Sequence, residues 1–465
     1  MSKLDQVLDH LDKNLDAATE RLFAFLRIPS ISTDLAYKKD CQKAADHLKS
    51  DLATLGFDAS VRPTKGHPVV MAHARDGKAN GGKAPHMLFY GHYDVQPVDP
   101  LDLWQSPPFE PRIAEIEPGR KVILARGACD DKGQVMTFVE ACRAWKAVTG
   151  SLPIDITFLV EGEEECGSVN LPAFVEANKG ELKADAALVC DTGMWDRKTP
   201  AITSALRGMV YEEVRITAAD RDLHSGIFGG GAANPINILT KILGSLRDPE
   251  GRITLPGFYE GVHELPSQLK ADWLALNLTP ESFLGQVGLS VPIGEKGRAL
   301  IEMVQSRPTC DINGIWGGYE GEGSKTVIPS KAGAKVSFRL VGDQDPKKIS
   351  AAFEAYVRER LPADCKAEFI HHSNSKAIAL PVDSPLLLKA RDALLAEWGK
   401  PPVTIGSGGS VPIVGDFKRM LGLDSLLVGF GLDDDRVHSP NEKYDLSSFH
   451  HGMRSWARIL GALAG

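Results

Sequence analysis

The sequence has no Cys-x-x-Cys pair: its seven cysteines, Cys41, Cys129, Cys142, Cys166, Cys190, Cys310 and Cys365, are scattered and odd in number. That pattern excludes a zinc finger and argues against a disulfide framework, so reduced thiols are expected. No apolar stretch approaches the length that spans a bilayer, and Met1 to Leu26 carries acids throughout, without the unbroken apolar core of a secretion signal. A cytoplasmic protein without a membrane partner is therefore expected. Concentrated basic charge is also missing. The formal charge is −8, which excludes a nucleic-acid partner and suits a small neutral or zwitterionic substrate. There is no internal repeat and no low-complexity tract; Lys78 to Lys83 reads as a polar turn.

What is present is ordinary globular material, 43% hydrophobic and 25% charged over 465 residues, a length that exceeds what one core usually supports. Leu4, Val7, Leu8, Leu11 and Leu15 recur at helical spacing, and the pattern runs on to Leu26 before Ile28-Pro29 stops it. Short apolar runs follow at His86–Tyr90, Ile154–Val160, Ala186–Cys190 and Ser425–Phe430, with helical patterns such as Gly133–Val148 and Ser384–Trp398 between or near them. The fold class is α/β, a mostly parallel sheet covered by helices. Between about Arg207 and Pro381 the character changes. Val210–Thr217 and Ala334–Val341 read as alternating strands of an antiparallel sheet, with helices at Pro235–Leu246 and Pro346–Arg360 on one face. The expected division is 1–206 with 382–465 as one domain and 207–381 as an inserted α+β domain.

Acids and imidazoles sit directly after the apolar runs. His92 and Asp94 follow the first, Glu163, Glu164 and Glu165 the second, Asp191 the third, and His438 comes a short loop after the fourth. Open α/β sheets bind ligands at the carboxyl ends of their strands, so these groups should converge on one crevice. Alone, a His-x-Asp is an ordinary hydrogen-bonded surface pair. In a site, His92 is a metal ligand through one ring nitrogen while Asp94 holds the other. Asp130 and Asp131 precede a helix, where one of them could simply be an N-cap; a carboxylate bridging two cations must be ionised and rigidly aimed, and Asp130 is read as that bridge. The Glu161–Glu165 run could be a solvated acidic turn. Beside a cation, it offers a ligand and a general base together. Two imidazoles with three carboxylates suit a pair of hard-to-borderline metals rather than a thiolate site. Cys129, Cys166 and Cys190 each adjoin an acid of this set and read as small buried filler.

Jointly these segments resemble the M20 family of metallopeptidases, in particular its dipeptidase branch. The segments are Tyr90 to Pro97, Arg126 to Gly133, Glu161 to Ser168, Asp222 to Gly226, Thr326 to Pro329 and His438 to Glu442. The resemblance implies that His92, Asp130 and Asp191 hold one divalent metal and Asp130, Glu165 and His438 a second, with zinc, or alternatively manganese or cobalt, as the ion. It implies Glu164 as catalytic base, Asp94 as the group orienting His92, and an inserted domain that acts as a lid and dimerises. It further implies that His224, Asn313, Thr326, Arg339 and Ser410 face the substrate, His224 reaching the site of the other chain in a homodimer. Ser407 departs from the pattern, since several of these dipeptidases carry Glu there, near the substrate's amino end. The function implied is hydrolysis of dipeptides or similar small amides. A deacylase or desuccinylase of N-acyl amino acids, and a catalytically silent metal-dependent binding protein, are the alternatives; the intact Glu164 speaks against the last.

Overall fold

Runs such as Met87–Tyr90 and Ile156–Val160, apolar on both faces, become strands buried on both sides. The computed structural model describes residues 2–77, 84–380, 382–407 and 411–465, so the turn at Lys78–Lys83 and Ser410 lie outside the described residues. The chain forms two units: Met1–Ser204 with Leu380–Ile405 and Ile413–Gly465, and Ala205–Ala379 with Gly406–Pro412.

At the centre of the first unit, the strands Asp155–Glu161, His86–His92, Ala186–Val189 and Ser425–Leu427 lie side by side and parallel. Their flanks run antiparallel, with Val69–Ala74 beside Asp155–Glu161 and Ala201–Leu206 beside Ser425–Leu427. The parallel centre matches the sequence reading; the antiparallel flanks were not legible, because strand direction leaves no trace in an apolar run. Helices Lys132–Thr149 and Leu446–Leu463 pack together over the sheet. The contacts are aromatic: Phe138 stacks on Phe89 of the strand His86–His92 with ring centroids 3.9 Å apart, and Trp456 meets Phe138 edge-on at 5.1 Å. The amino-terminal helical pattern is divided in two, Lys3–Lys13 and Leu15–Leu26. Asn14 divides it, its side chain donating to the His10 carbonyl beside its own backbone N–H. A small sheet brings Lys443–Asp445 antiparallel to Arg120–Leu124, which in turn pairs with Arg112–Glu117. That pairing sets the carboxyl-terminal His438–Glu442 segment beside the loop that starts at Ala125.

The second unit holds an antiparallel sheet in the order Thr309–Gly317, Lys331–Leu340, Gly208–Thr217, Lys366–Ser375. Val210, Val214, Val336 and Phe338 form a core with Leu239 and Ile242 of helix Pro235–Gly244 and Ile349 and Phe353 of helix Pro346–Arg358. Both helices thus cover one face. Among the described residues no helix is long and apolar enough to cross a membrane.

Candidate active site

His92 is the last residue of its strand and fully buried. Gly91 before it lets the chain pass close to the next layer: a Cβ there would lie 2.5 Å from Val135 and 2.8 Å from the Asp131 carboxylate. His92 Nε2 lies 3.1 Å from Asp130 Oδ1 and 3.9 Å from Asp191 Oδ2. Its Nδ1 faces Asp94, 3.1 Å from the carbonyl oxygen and 3.3 Å from Oδ1.

Asp130 lies between two imidazoles, its other oxygen 3.1 Å from His438 Nε2. Asp131 turns the opposite way. It stands at the N-cap position of helix Lys132–Thr149, yet its buried carboxylate accepts the His92 backbone N–H at 3.2 Å and the Cys190 thiol at 3.4 Å. Asp131 therefore supports His92 from below.

The acidic run sorts itself by partner. Glu161 accepts from the Tyr90 hydroxyl at 2.7 Å and Ser168 at 2.9 Å, and Glu163 accepts the His67 N–H and both contacts of the Asn170 amide. These two carboxylates are committed to holding the turn. Glu165 reaches His438 Nε2 at 3.2 Å and accepts from Gln96 Nε2 at 2.7 Å. The Glu164 carboxyl feels the charges of His92, Asp191, Asp130 and Glu165. His438 itself rides on a contorted loop in which Arg436, His438 and Asn441 have φ of 57°, 63° and 64°, left-handed values that non-glycine residues rarely adopt.

Ligand atoms of His92, Asp130 and Asp191 lie within 4.8 Å of one another, as do those of Asp130, Glu165 and His438. The electrostatics of this cluster are those of a site short of positive charge. Burial pushes Asp191 up to about 7, with Asp130 adding repulsion, and burial likewise drives Glu164 well above the usual carboxylate range. Hydrogen bonds to Asp130 and Glu165 lift His438 to about 10. Burial opposes the charged form of Asp130, but bonds from His438 and His92 outweigh it and hold Asp130 below its ordinary value. A divalent cation supplies the missing charge and displaces those protons, so this nitrogen and oxygen donor set fits a metal. A cavity of about 180 Å³ opens beside it, lined by Asp130, Asp191, Thr192, Gly193, Leu432 and Val437 among others.

The remaining residues singled out in the sequence lie in the second unit. His224 is exposed, and its Nδ1 accepts the Gly226 N–H at 3.0 Å at the start of a short helical turn. The next residue, Ser225, donates its N–H to the Thr326 carbonyl at 3.0 Å, so His224 and Thr326 belong to one small ribbon. Asn313 is the extra residue of a bulge between Ile312 and Gly314, a device that re-aims a side chain. Arg339 is half-buried on Lys331–Leu340. Cys129 and Cys190 are buried, but Cys166 is exposed, because it closes the Glu164–Cys166 turn on its outer side. All seven cysteines are free thiols.

Two site residues escaped the sequence reading. Gln96, two residues beyond Asp94, holds Glu165; Glu442, four beyond His438, accepts four hydrogen bonds from the Arg126–Asp130 loop. Both lay inside the quoted motifs, and membership of a motif was the signal that could have raised them.

The chain matches Peptidase family M20/M25/M40 over residues 88–462. It is 30% identical to the Cys-Gly metallodipeptidase dug1 of Schizosaccharomyces pombe, an alignment covering 99% of this chain and 98% of the relative. It is 31% identical to the human Beta-Ala-His dipeptidase, over 85% of this chain and 78% of that one. The solved structure of the dipeptidase Dug1p of Saccharomyces cerevisiae superposes with a TM-score of 0.86 at 28% identity, covering 100% of this chain and 99% of the other. The chain thus belongs to peptidase family M20/M25/M40, the family its motifs resembled. It is a metallopeptidase, a hydrolase that works with divalent metal ions.

Proposed function

We propose that this enzyme hydrolyses dipeptides bearing a free amino terminus, with two divalent ions, zinc in the first instance, per chain. One observation carries the reading: the Asp130 carboxylate lies between His92 and His438, each Nε2 3.1 Å from a different oxygen. A carboxylate so placed is suited to two ions at once, one with His92 and Asp191, the other with Glu165 and His438. When bound, such ions acidify a water and polarise the scissile carbonyl. Glu164 takes the proton of the attacking water and returns it to the leaving nitrogen. Asp94 orients the His92 ring. In the second unit, read as the lid and dimerisation domain, Arg339 holds the substrate carboxylate, Asn313 and Thr326 contact the substrate, and His224 donates to the oxyanion across a homodimer. The relatives named for Cys-Gly and Beta-Ala-His dipeptides support the substrate class, and seven free thiols support a reducing, cytoplasmic setting.

The test is a panel of dipeptides against N-acetyl and N-succinyl amino acids, with zinc, manganese or cobalt restored to metal-free protein. Cleavage of the unblocked dipeptides is expected to exceed that of the N-acylated series. Faster cleavage of the acylated series would overturn the reading in favour of a deacylase, an outcome to which Ser407 gives interest.

A further inference from the structure

Glu442 is fully buried and both its oxygens are saturated. Oε2 accepts from Arg126 Nη1 at 2.8 Å and from the Gly127 N–H at 2.9 Å; Oε1 accepts the N–H groups of Cys129 at 2.9 Å and Asp130 at 3.1 Å. A carboxylate has about four lone-pair sites, and all are used here on one short loop. Its backbone carbonyl adds the Ala125 N–H at 3.2 Å. Four residues earlier in the same segment stands His438, whose ring meets the Asp130 side chain. The His438–Glu442 segment therefore grips Asp130 twice, by side chain and by main chain.

The segment is itself fastened. Asn441 accepts the Gln105 N–H at 2.7 Å and donates to the Leu103 carbonyl at 2.8 Å. Lys443 reaches Asp435 at 2.6 Å and Asp434 at 2.9 Å, and Arg120 pairs with both Asp445 and Asp434. Arg126, the charged donor to Glu442, is 1% exposed, also donates to the Pro97 carbonyl at 2.9 Å, and lies over the Trp104 ring at 5.4 Å. The grip on Asp130 is thus made between two segments that are each fastened to their surroundings, and its pitch is set by one side chain.

We propose that Glu442 is a positioning residue of the metal centre: by fixing the Gly127–Asp130 backbone against the His438 loop, it sets the Asp130 carboxylate at the place where it serves both ions. The inference rests on reading Asp130 as their shared ligand. Neutral glutamine cannot replace Glu442, because its NH₂ would face either Arg126 and Gly127 N–H or the N–H groups of Cys129 and Asp130. Aspartate keeps the charge opposite Arg126 but withdraws it by one methylene.

The experiment is calorimetric titration of zinc into the metal-free full chain, for wild type, Glu442→Asp, Glu442→Gln, Asp130→Ala and Glu397→Gln. The last removes a charge held between helices Pro385–Trp398 and Leu446–Leu463, touching neither the Asp130 loop nor the His438–Glu442 segment and its fastenings. Circular dichroism and thermal melting of each metal-free variant report the fold. Glu442→Asp is expected to fold and to bind zinc about 10- to 100-fold more weakly, the range seen when partners that orient ligands are lost. Its turnover should recover as free zinc is raised in buffered steps, which a merely structural lesion does not do. Glu397→Gln is expected to melt earlier yet keep wild-type zinc affinity. A folded Glu442 variant with wild-type zinc affinity overturns the proposal, as does equal loss of affinity in Glu397→Gln. So does failure of both Glu442 variants to fold, which would make the residue one of folding alone. If Asp130→Ala itself leaves zinc binding intact, it is the shared-ligand reading that fails; if only the Glu442 variants bind normally, that reading stands and this inference falls.

Discussion

One carboxylate joins the two ends of the candidate metal site: Asp94 Oδ2 accepts the backbone N–H of Glu165 at 3.0 Å, while Oδ1 accepts that of Glu164 at 3.3 Å and lies 3.3 Å from His92 Nδ1. Asp94 is fully buried, so these contacts are unshared with bulk solvent. The orientation of the His92 ring and the aim of the Glu164–Glu165 turn are therefore one mechanical unit. Asp94→Ala is expected to weaken metal binding by about 10- to 100-fold and to lower turnover even at saturating metal, since Glu164 is also released. Metal affinity and saturated turnover measured separately check both halves; an effect on affinity alone would detach Glu164 from this unit.

Glu164→Gln should leave metal content and fold unchanged and reduce turnover by about 10²–10⁴-fold or more, because the amide keeps the shape but cannot carry a proton. Elemental analysis beside kinetics decides the matter. Loss of an ion with little loss of rate would exchange the roles given to Glu164 and Glu165.

His224 is exposed in its own unit, which leaves it available to a second chain. His224→Ala and Glu164→Gln proteins, each nearly inactive, are to be mixed under conditions where subunit exchange is independently demonstrated. Random equal pairing should restore roughly a quarter of wild-type activity, from one intact site in half of the dimers. Recovery of only the parents' average would place His224 in its own chain's site or outside catalysis.

Much of the site was legible because strand ends are legible. A run such as Met87–Tyr90 announces a buried strand, and the polar residue that ends it, His92, must then stand at the sheet's carboxyl edge. Choosing among Glu161, Glu163, Glu164 and Glu165 was a different matter. Glu163 is removed from the site by His67 and Asn170, and Glu161 by Tyr90 and Ser168; all four partners lie elsewhere in the chain or past the turn, where no local spacing rule applies. Resemblance to a family, and not the residues themselves, separated ligand from base. Glu442 was hidden for a related reason, since its donors, three backbone N–H groups and the Arg126 guanidinium, lie more than 300 residues away in sequence. Cys166 defeated a composition rule: its turn is too short to bury every side chain.

Away from this site, Glu397 of helix Pro385–Trp398 is buried against helix Leu446–Leu463, where it binds His451 at 2.8 Å, Arg454 at 2.6 Å and Arg458 at 2.7 Å. Burial works against the charge, but these bonds hold its pKa down at about 2, from an ordinary 4.5. A carboxyl lowered on folding stabilises the native state above its unfolded pKa and loses that contribution as pH falls toward the folded one. The difference in melting temperature between wild type and Glu397→Gln, both metal-free, should be full above pH 4.5 and shrink as pH approaches about 2. A difference independent of pH over that window would show that packing, not charge, holds these helices together.

The most direct measurement is anomalous diffraction at the zinc edge from zinc-loaded crystals of the full chain. Two peaks roughly 3.5–4 Å apart are predicted. One should lie among His92, Asp130 and Asp191, the other among Asp130, Glu165 and His438, with an Asp130 oxygen ligating each. A single peak, or a pair of which one has no Asp130 oxygen in its coordination shell, would contradict the shared-carboxylate account.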